Sequence, residues 1–152
     1  MALDSKVYSV VAGVTVVADL FLFMFLNNTN WKFLFFAFLG TSAGVAGWYA
    51  VSKMAWDEAK KVLVYVVVAS ASTCIYMLLL VKSLIADRNT VTMSPAHAHM
   101  FARLGAPSAG TLLAGALVCA LQAGAQGYAA YSTGMLLAEQ GSAPKESDPL
   151  VP

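Results

Sequence analysis

The chain has 152 residues, of which 59% are hydrophobic and 11% charged, with a formal net charge of +1. Soluble domains carry about 25% charged residues, and nucleic-acid-binding modules and basic membrane-surface modules are strongly positive. This composition excludes all three classes and points to a chain that lies mostly within a bilayer.

The predicted elements follow from four long apolar runs. A helix rises about 1.5 Å per residue, so roughly 20 apolar residues cross a hydrocarbon core about 30 Å thick. The first run, Val7 to Leu26, has a single charge at Asp19. It is longer than a signal-peptide core, and bulky residues follow where a cleavage site needs small ones, so it reads as a retained signal anchor. Asp4 or Ser5 is placed to cap it, and the cluster Asn27-Asn28-Thr29-Asn30 ends it. Those asparagines match a glycosylation acceptor, set so close to the membrane that it is expected to stay unmodified.

The second run, Phe33 to Ala55, is interrupted only by Lys53, with Trp31, Trp48, Tyr49 and Trp56 near its limits. Such rings collect at bilayer–water boundaries. The segment Trp56 to Lys61 reads as a tight charged link. The third run, Val62 to Ile85, carries one charge at Lys82, and the fourth, Ala106 to Ala138, carries none. The longer connection between them, Ala86 to Gly105, includes His97 and His99, and residues 139–152 read as a flexible tail rich in Pro, Ser and charge. The expected fold is therefore all-α, an integral membrane four-helix bundle in up-down-up-down order over residues 1–138. One side carries Lys6, Lys53, Lys60, Lys61 and Lys145, the other Lys32, Lys82, Arg88 and Arg103. Five cations against four favour cytoplasmic termini.

Within the runs, two patterns carry information. Asp19 stands eight positions before Asn27, about 12 Å inside its helix end, where a carboxylate costs a few kcal/mol unless paired or protonated. Lys82 is the candidate partner, as an ion or proton pathway element or as a structural clamp; Thr73 or Tyr76 is the alternative, holding the acid neutral. The second pattern is small-residue spacing. Gly115, Cys119, Ala123 and Gly127 recur every four positions in the fourth run, beside Ala116, Ala120 and Gly124, while the second run has Gly40, Gly44 and Gly47. Helices in lipid associate by close backbone approach and hydrogen bonding, which Gln122 and Gln126 can supply. The bland explanation is packing within one chain; small faces on several helices also suit association with another copy or other membrane subunits.

His97-Ala98-His99 places both rings on one side only in an extended segment. Two imidazoles do not fill a metal shell, so no metal site is expected; a pH-sensitive contact or a solvated loop fits better. No His lies in an apolar run to ligate haem, and no nucleophile–base constellation or phosphate loop is present. No enzyme activity and no cofactor are expected, and bound lipid is.

The four passes, the short first and second links and the stretch Tyr65-Val66-Val67-Val68-Ala69-Ser70-Ala71-Ser72 together resemble the MARVEL-type tetraspan proteins and the related plant Casparian-strip membrane protein-like family. That plant family has an Arg in its first membrane helix and an Asp in its third; here Asp19 and Lys82 reverse the signs. The resemblance implies a non-enzymatic scaffold that self-associates laterally, here through the second and fourth helices. The alternative is an accessory subunit of a large energy-transducing or transport complex; a small channel using Asp19 is a third reading.

Overall fold

A computed structural model of the chain describes residues 5–26, 30–93 and 107–141. These form four helices: α1 (Ser5–Leu26), α2 (Trp31–Lys53), α3 (Trp56–Met93) and α4 (Ala109–Gly141). All four are long and apolar enough to cross a membrane. His97 and His99 lie outside the described residues, as do Asp4 and most of the C-terminal tail.

Local chemistry sets the helix limits. Asn30 has an extended backbone and its side chain accepts the Lys32 N–H at 3.1 Å, the N-cap geometry that satisfies an orphan donor. Ser108 does the same for α4, accepting from Thr111 N at 3.2 Å. That cap moves the start of the helix from the expected Ala106 to Ala109. The largest boundary correction concerns the segment Trp56 to Lys61. It is the first turn and a half of α3 rather than a link, and only Met54 and Ala55 separate α2 from α3. The Ala55 carbonyl accepts from both Glu58 N and Ala59 N. Asp57 and Glu58 in that first turn face the partial positive charge of the helix start, where acidic groups stabilise. At its other end α3 continues past Ile85 through Asp87 and Arg88 to Met93. With 38 residues it is about 57 Å long, against about 33 Å for the 22 residues of α1.

The helices pack in cyclic order, α1 on α2, α2 on α3, α3 on α4 and α4 on α1, and the α3–α4 seam is the most extensive. On α1 the buried positions Tyr8, Val11, Thr15, Ala18 and Leu22 alternate by three and four residues, a narrow seam of coiled-coil type. Two apolar clusters result. One joins Leu22, Phe33, Met77, Leu112 and Cys119; the other joins Tyr8, Ala50, Leu63 and Val66. Between them lies a layer of fully buried polar side chains: Thr15, Ser70, Thr73, Gln122 and Gln126. Large apolar side chains point the other way. Met24 and Phe38 are each 73% exposed and Leu121 is 71% exposed.

α2 meets α1 through its glycines. A Cβ placed on Gly44 would lie 2.6 Å from the Ala12 Cβ and 2.9 Å from the Ala12 backbone, so only glycine permits this approach. Gly47 is covered in the same way by the Tyr8 ring. Opposite, the Phe36 ring of α2 stacks on Tyr76 of α3, with centroids 4.3 Å apart.

Candidate functional site

The polar layer is the part of this molecule where chemistry is concentrated, and all four helices contribute to it. Gln126 on α4 donates from Nε2 to Thr15 Oγ1 of α1 at 2.7 Å and to the Gly40 carbonyl of α2 at 3.3 Å. Gly40 has to be small here: a Cβ would stand 3.0 Å from Gln126 Nε2 and 3.1 Å from the methyls of Thr15 and of Thr73 on α3. Thr15 and Thr73 each turn their hydroxyl back to the carbonyl one turn earlier, Val11 at 2.8 Å and Ala69 at 2.9 Å. Helices in apolar surroundings use this bond because no water competes for the donor.

One turn along α4, Gln122 donates from Nε2 to Asp19 Oδ1 at 3.0 Å. At the other end of the layer the Tyr8 and Thr133 hydroxyls meet at 2.7 Å. Ser70 Oγ, Gln122 Oε1 and Gln126 Oε1 are buried with no hydrogen-bond partner. The interior thus holds polar groups at successive levels, from Tyr8–Thr133 through Ser70 and Gln126–Thr15 to Gln122–Asp19.

Asp19 itself is only partly buried. It lines a shallow, open groove of about 310 Å³ along the α1–α2 pair, together with Val16, Leu20 and Phe23 of α1. Phe33, Leu34, Ala37, Phe38 and Thr41 of α2 complete the lining. One carboxylate oxygen therefore takes the Gln122 amide from inside the bundle, while the group as a whole borders an apolar groove that opens outward.

The expected Asp19–Lys82 pair does not form. Lys82 is exposed on α3, and α3 packs against α2 and α4, whereas Asp19 is approached by α4. Of the alternative partners, Thr73 donates its hydroxyl to the Ala69 carbonyl, and the Tyr76 ring stacks on Phe36.

The small residues divide into two sets. Gly40, Gly44, Gly47, Gly115, Cys119, Gln122, Ala123 and Gln126 are buried within the single chain. Gly115 takes the Leu26 side chain, and half-buried Gly127 would bring a Cβ 3.3 Å from Cys74 Sγ. Ala120 and Gly124 are exposed, and nothing lies within 4 Å of a Cβ placed at Gly124. Ser70, Tyr8 and Thr133 were not singled out as functional from sequence; their only signal is a polar residue inside an apolar run. Among the described residues no three His, Cys, Asp or Glu side chains come together.

Compared with protein-family models, with curated proteins and with solved structures, the chain matches none. The functional reading therefore rests on the chain's own geometry.

Proposed function

We propose that this chain is a multi-pass integral membrane protein, up-down-up-down with cytoplasmic termini, that works by lateral association rather than by catalysis. The observation that carries this reading is the distribution of side chains. Between its two apolar clusters the interior holds a polar layer, with Thr15, Ser70, Thr73, Gln122 and Gln126 fully buried, and the outside is covered by Val17, Met24, Phe38, Ile75, Leu79 and Leu121. In water such a surface would exceed the apolar patch a soluble monomer tolerates. In a bilayer it is the ordinary arrangement, with hydrogen bonds and close backbone contacts turned inward. The helix order is supported by the two apolar clusters, which α1 through α4 traverse in alternating sense.

For lateral association the available positions are Ala120 and Gly124, which leave a shallow outward strip on α4 where a second helix can approach. A scaffold of the MARVEL or Casparian-strip kind would use it between identical copies; an accessory subunit would use it against other chains. Purification in mild detergent followed by mass measurement decides between them. A ring or array of identical chains supports the scaffold, a set of unrelated subunits supports the accessory role, and a lone monomer counts against both.

A second reading is favoured by one specific observation. A proton or ion path needs polar groups in series, and the interior from Tyr8 to Asp19 supplies such a series. Proton or cation flux in reconstituted vesicles should fall in Asp19→Asn; flux that persists unchanged would dispose of the path.

A further inference from the structure

The groove beside Asp19 has a composition that the packing of the bundle does not explain. It is lined by Val16, Leu20 and Phe23 beside Asp19 on α1, and on α2 by Leu34, Phe38, the small residues Ala37 and Thr41, and the core residue Phe33. At about 310 Å³ it is at the lower end of small-molecule sites, which run from about 300 to 1,000 Å³ and combine an apolar lining with one or two placed polar groups. The polar group here is an acid whose hydrogen bond is a single neutral amide on Oδ1. No described basic side chain pairs with it, and Lys82 is exposed on another helix. An ionised carboxylate at this depth is stabilised by a positive charge close by.

We propose that the α1–α2 groove binds one apolar molecule carrying a single positive charge, an amine or ammonium on a hydrophobic body, with Asp19 as its counter-ion. The two features of the lining serve the two halves of that ligand. Asp19 faces the cation while Gln122 holds the carboxylate from behind, and the exposed rings of Phe23 and Phe38 supply apolar surface and an aromatic face for the positive charge. A partner helix is the poorer occupant. Helices dock in lipid on small residues, and the small residues of α2 that would let a backbone come near, Gly40, Gly44 and Gly47, are buried against α1 and the core. The rim of the groove is bulky instead, with Leu20 57%, Leu34 50% and Phe38 73% exposed.

This inference rests on the membrane reading above, and its test separates the two. The full chain is reconstituted in phosphatidylcholine nanodiscs; failure to incorporate would overturn the membrane reading itself. Incorporated protein is then titrated by calorimetry with decyltrimethylammonium, with decanol as the neutral comparator and empty nanodiscs as background. The expected result is saturable binding of one cation per chain, weakened at least tenfold in Asp19→Asn, with decanol binding no better than to that variant. Asn keeps an oxygen for the Gln122 amide, so this variant retains the fold. Ala37→Phe, which fills part of the groove from the α2 side and leaves the carboxylate in place, should also abolish binding. Absence of saturable binding, equal binding to Asp19→Asn, or decanol binding as tightly as the cation would overturn the proposal. So would a change of particle mass in Ala37→Phe without any cation binding, because the groove would then hold a second copy.

Discussion

Gly44 and Gly124 stand in small-residue rows of the same kind, one on α2 and one on α4, yet their surroundings are opposite. A Cβ on Gly44 would collide with the Ala12 backbone at 2.9 Å, whereas one on Gly124 would meet nothing within 4 Å. The first row is spent holding the chain together. The second is open to whatever lies beside the molecule. Spacing by four places residues on one face of a helix, but which way that face turns is decided by the other three helices, and only the inward face is fixed by contacts within the chain.

The comparison can be tested from its inward side first, where the largest effect is expected. Gly44→Leu forces a branched side chain against main-chain atoms of α1 that cannot move without separating the two helices. Overpacking of this kind costs about 3 kcal/mol or more. Denaturant unfolding in detergent, followed by helical circular dichroism, should show the loss; a variant as stable as the parent would mean that α1 and α2 do not approach through Gly44.

Gln122→Leu should come next. It keeps roughly the same bulk in the core and removes the one amide that reaches Asp19 at 3.0 Å. Leaving that carboxylate without a donor is expected to cost about 2 kcal/mol, in the range for an orphaned polar group. The double variant Gln122→Leu with Asp19→Leu should recover part of the loss, measured in the same unfolding assay. Equal loss in single and double variants would show that the two groups do not depend on each other. Tyr8→Phe is a smaller perturbation, since it deletes only the hydroxyl that meets Thr133 at 2.7 Å. About 0.6 kcal/mol is the average for an interhelical hydrogen bond in a membrane protein, and a loss well above 2 kcal/mol would point to a role beyond packing.

Several of these relations were legible in the sequence and several were not. The four runs of apolar residues define the helices, because length and composition alone suffice for a span. Asn30 was legible as part of a turn cluster before Trp31, whereas its role as the N-cap of α2 was not. Gln122 and Gln126 were recognisable as hydrogen-bond donors on one face. Their partners were not, because depth along a helix can be counted from sequence but rotation about its axis cannot. Asp19 and Lys82 illustrate the point: both lie toward the same end of the molecule, and the helices turn them to different sides. The start of α3 was hidden for another reason. Trp56-Asp57-Glu58-Ala59-Lys60-Lys61 is charged like a loop, yet acids at the first turn and a carbonyl at Ala55 make it a sound helix start. Tyr8 and Thr133 went unnoticed as single polar residues in apolar runs, and Ser70 was read only as part of a small-residue stretch, since only the assembled interior gives them neighbours.

The smallest expected effect on the isolated chain is also the sharpest test of what the outer row of α4 does. Gly124→Leu adds a side chain into open space, so the unfolding free energy of the single chain should change by less than about 0.5 kcal/mol, as for surface substitutions generally, and replacing a helical glycine is even favourable by propensity. Particle mass is a different readout. If another helix rests on Ala120 and Gly124, the leucine holds it several ångströms away and the assembly measured in mild detergent becomes smaller. Leu112→Ala supplies the opposite pattern, because Leu112 is buried in the apolar cluster with Leu22 and Met77: it should lower the stability of the chain by about 2 kcal/mol or more and alter mass only through that loss. Two variants on one helix, one affecting assembly without stability and the other stability before assembly, would establish that α4 has a structural side and an associating side. A Gly124→Leu protein with unchanged mass would leave α4 facing lipid there, and the association would have to be sought on another helix.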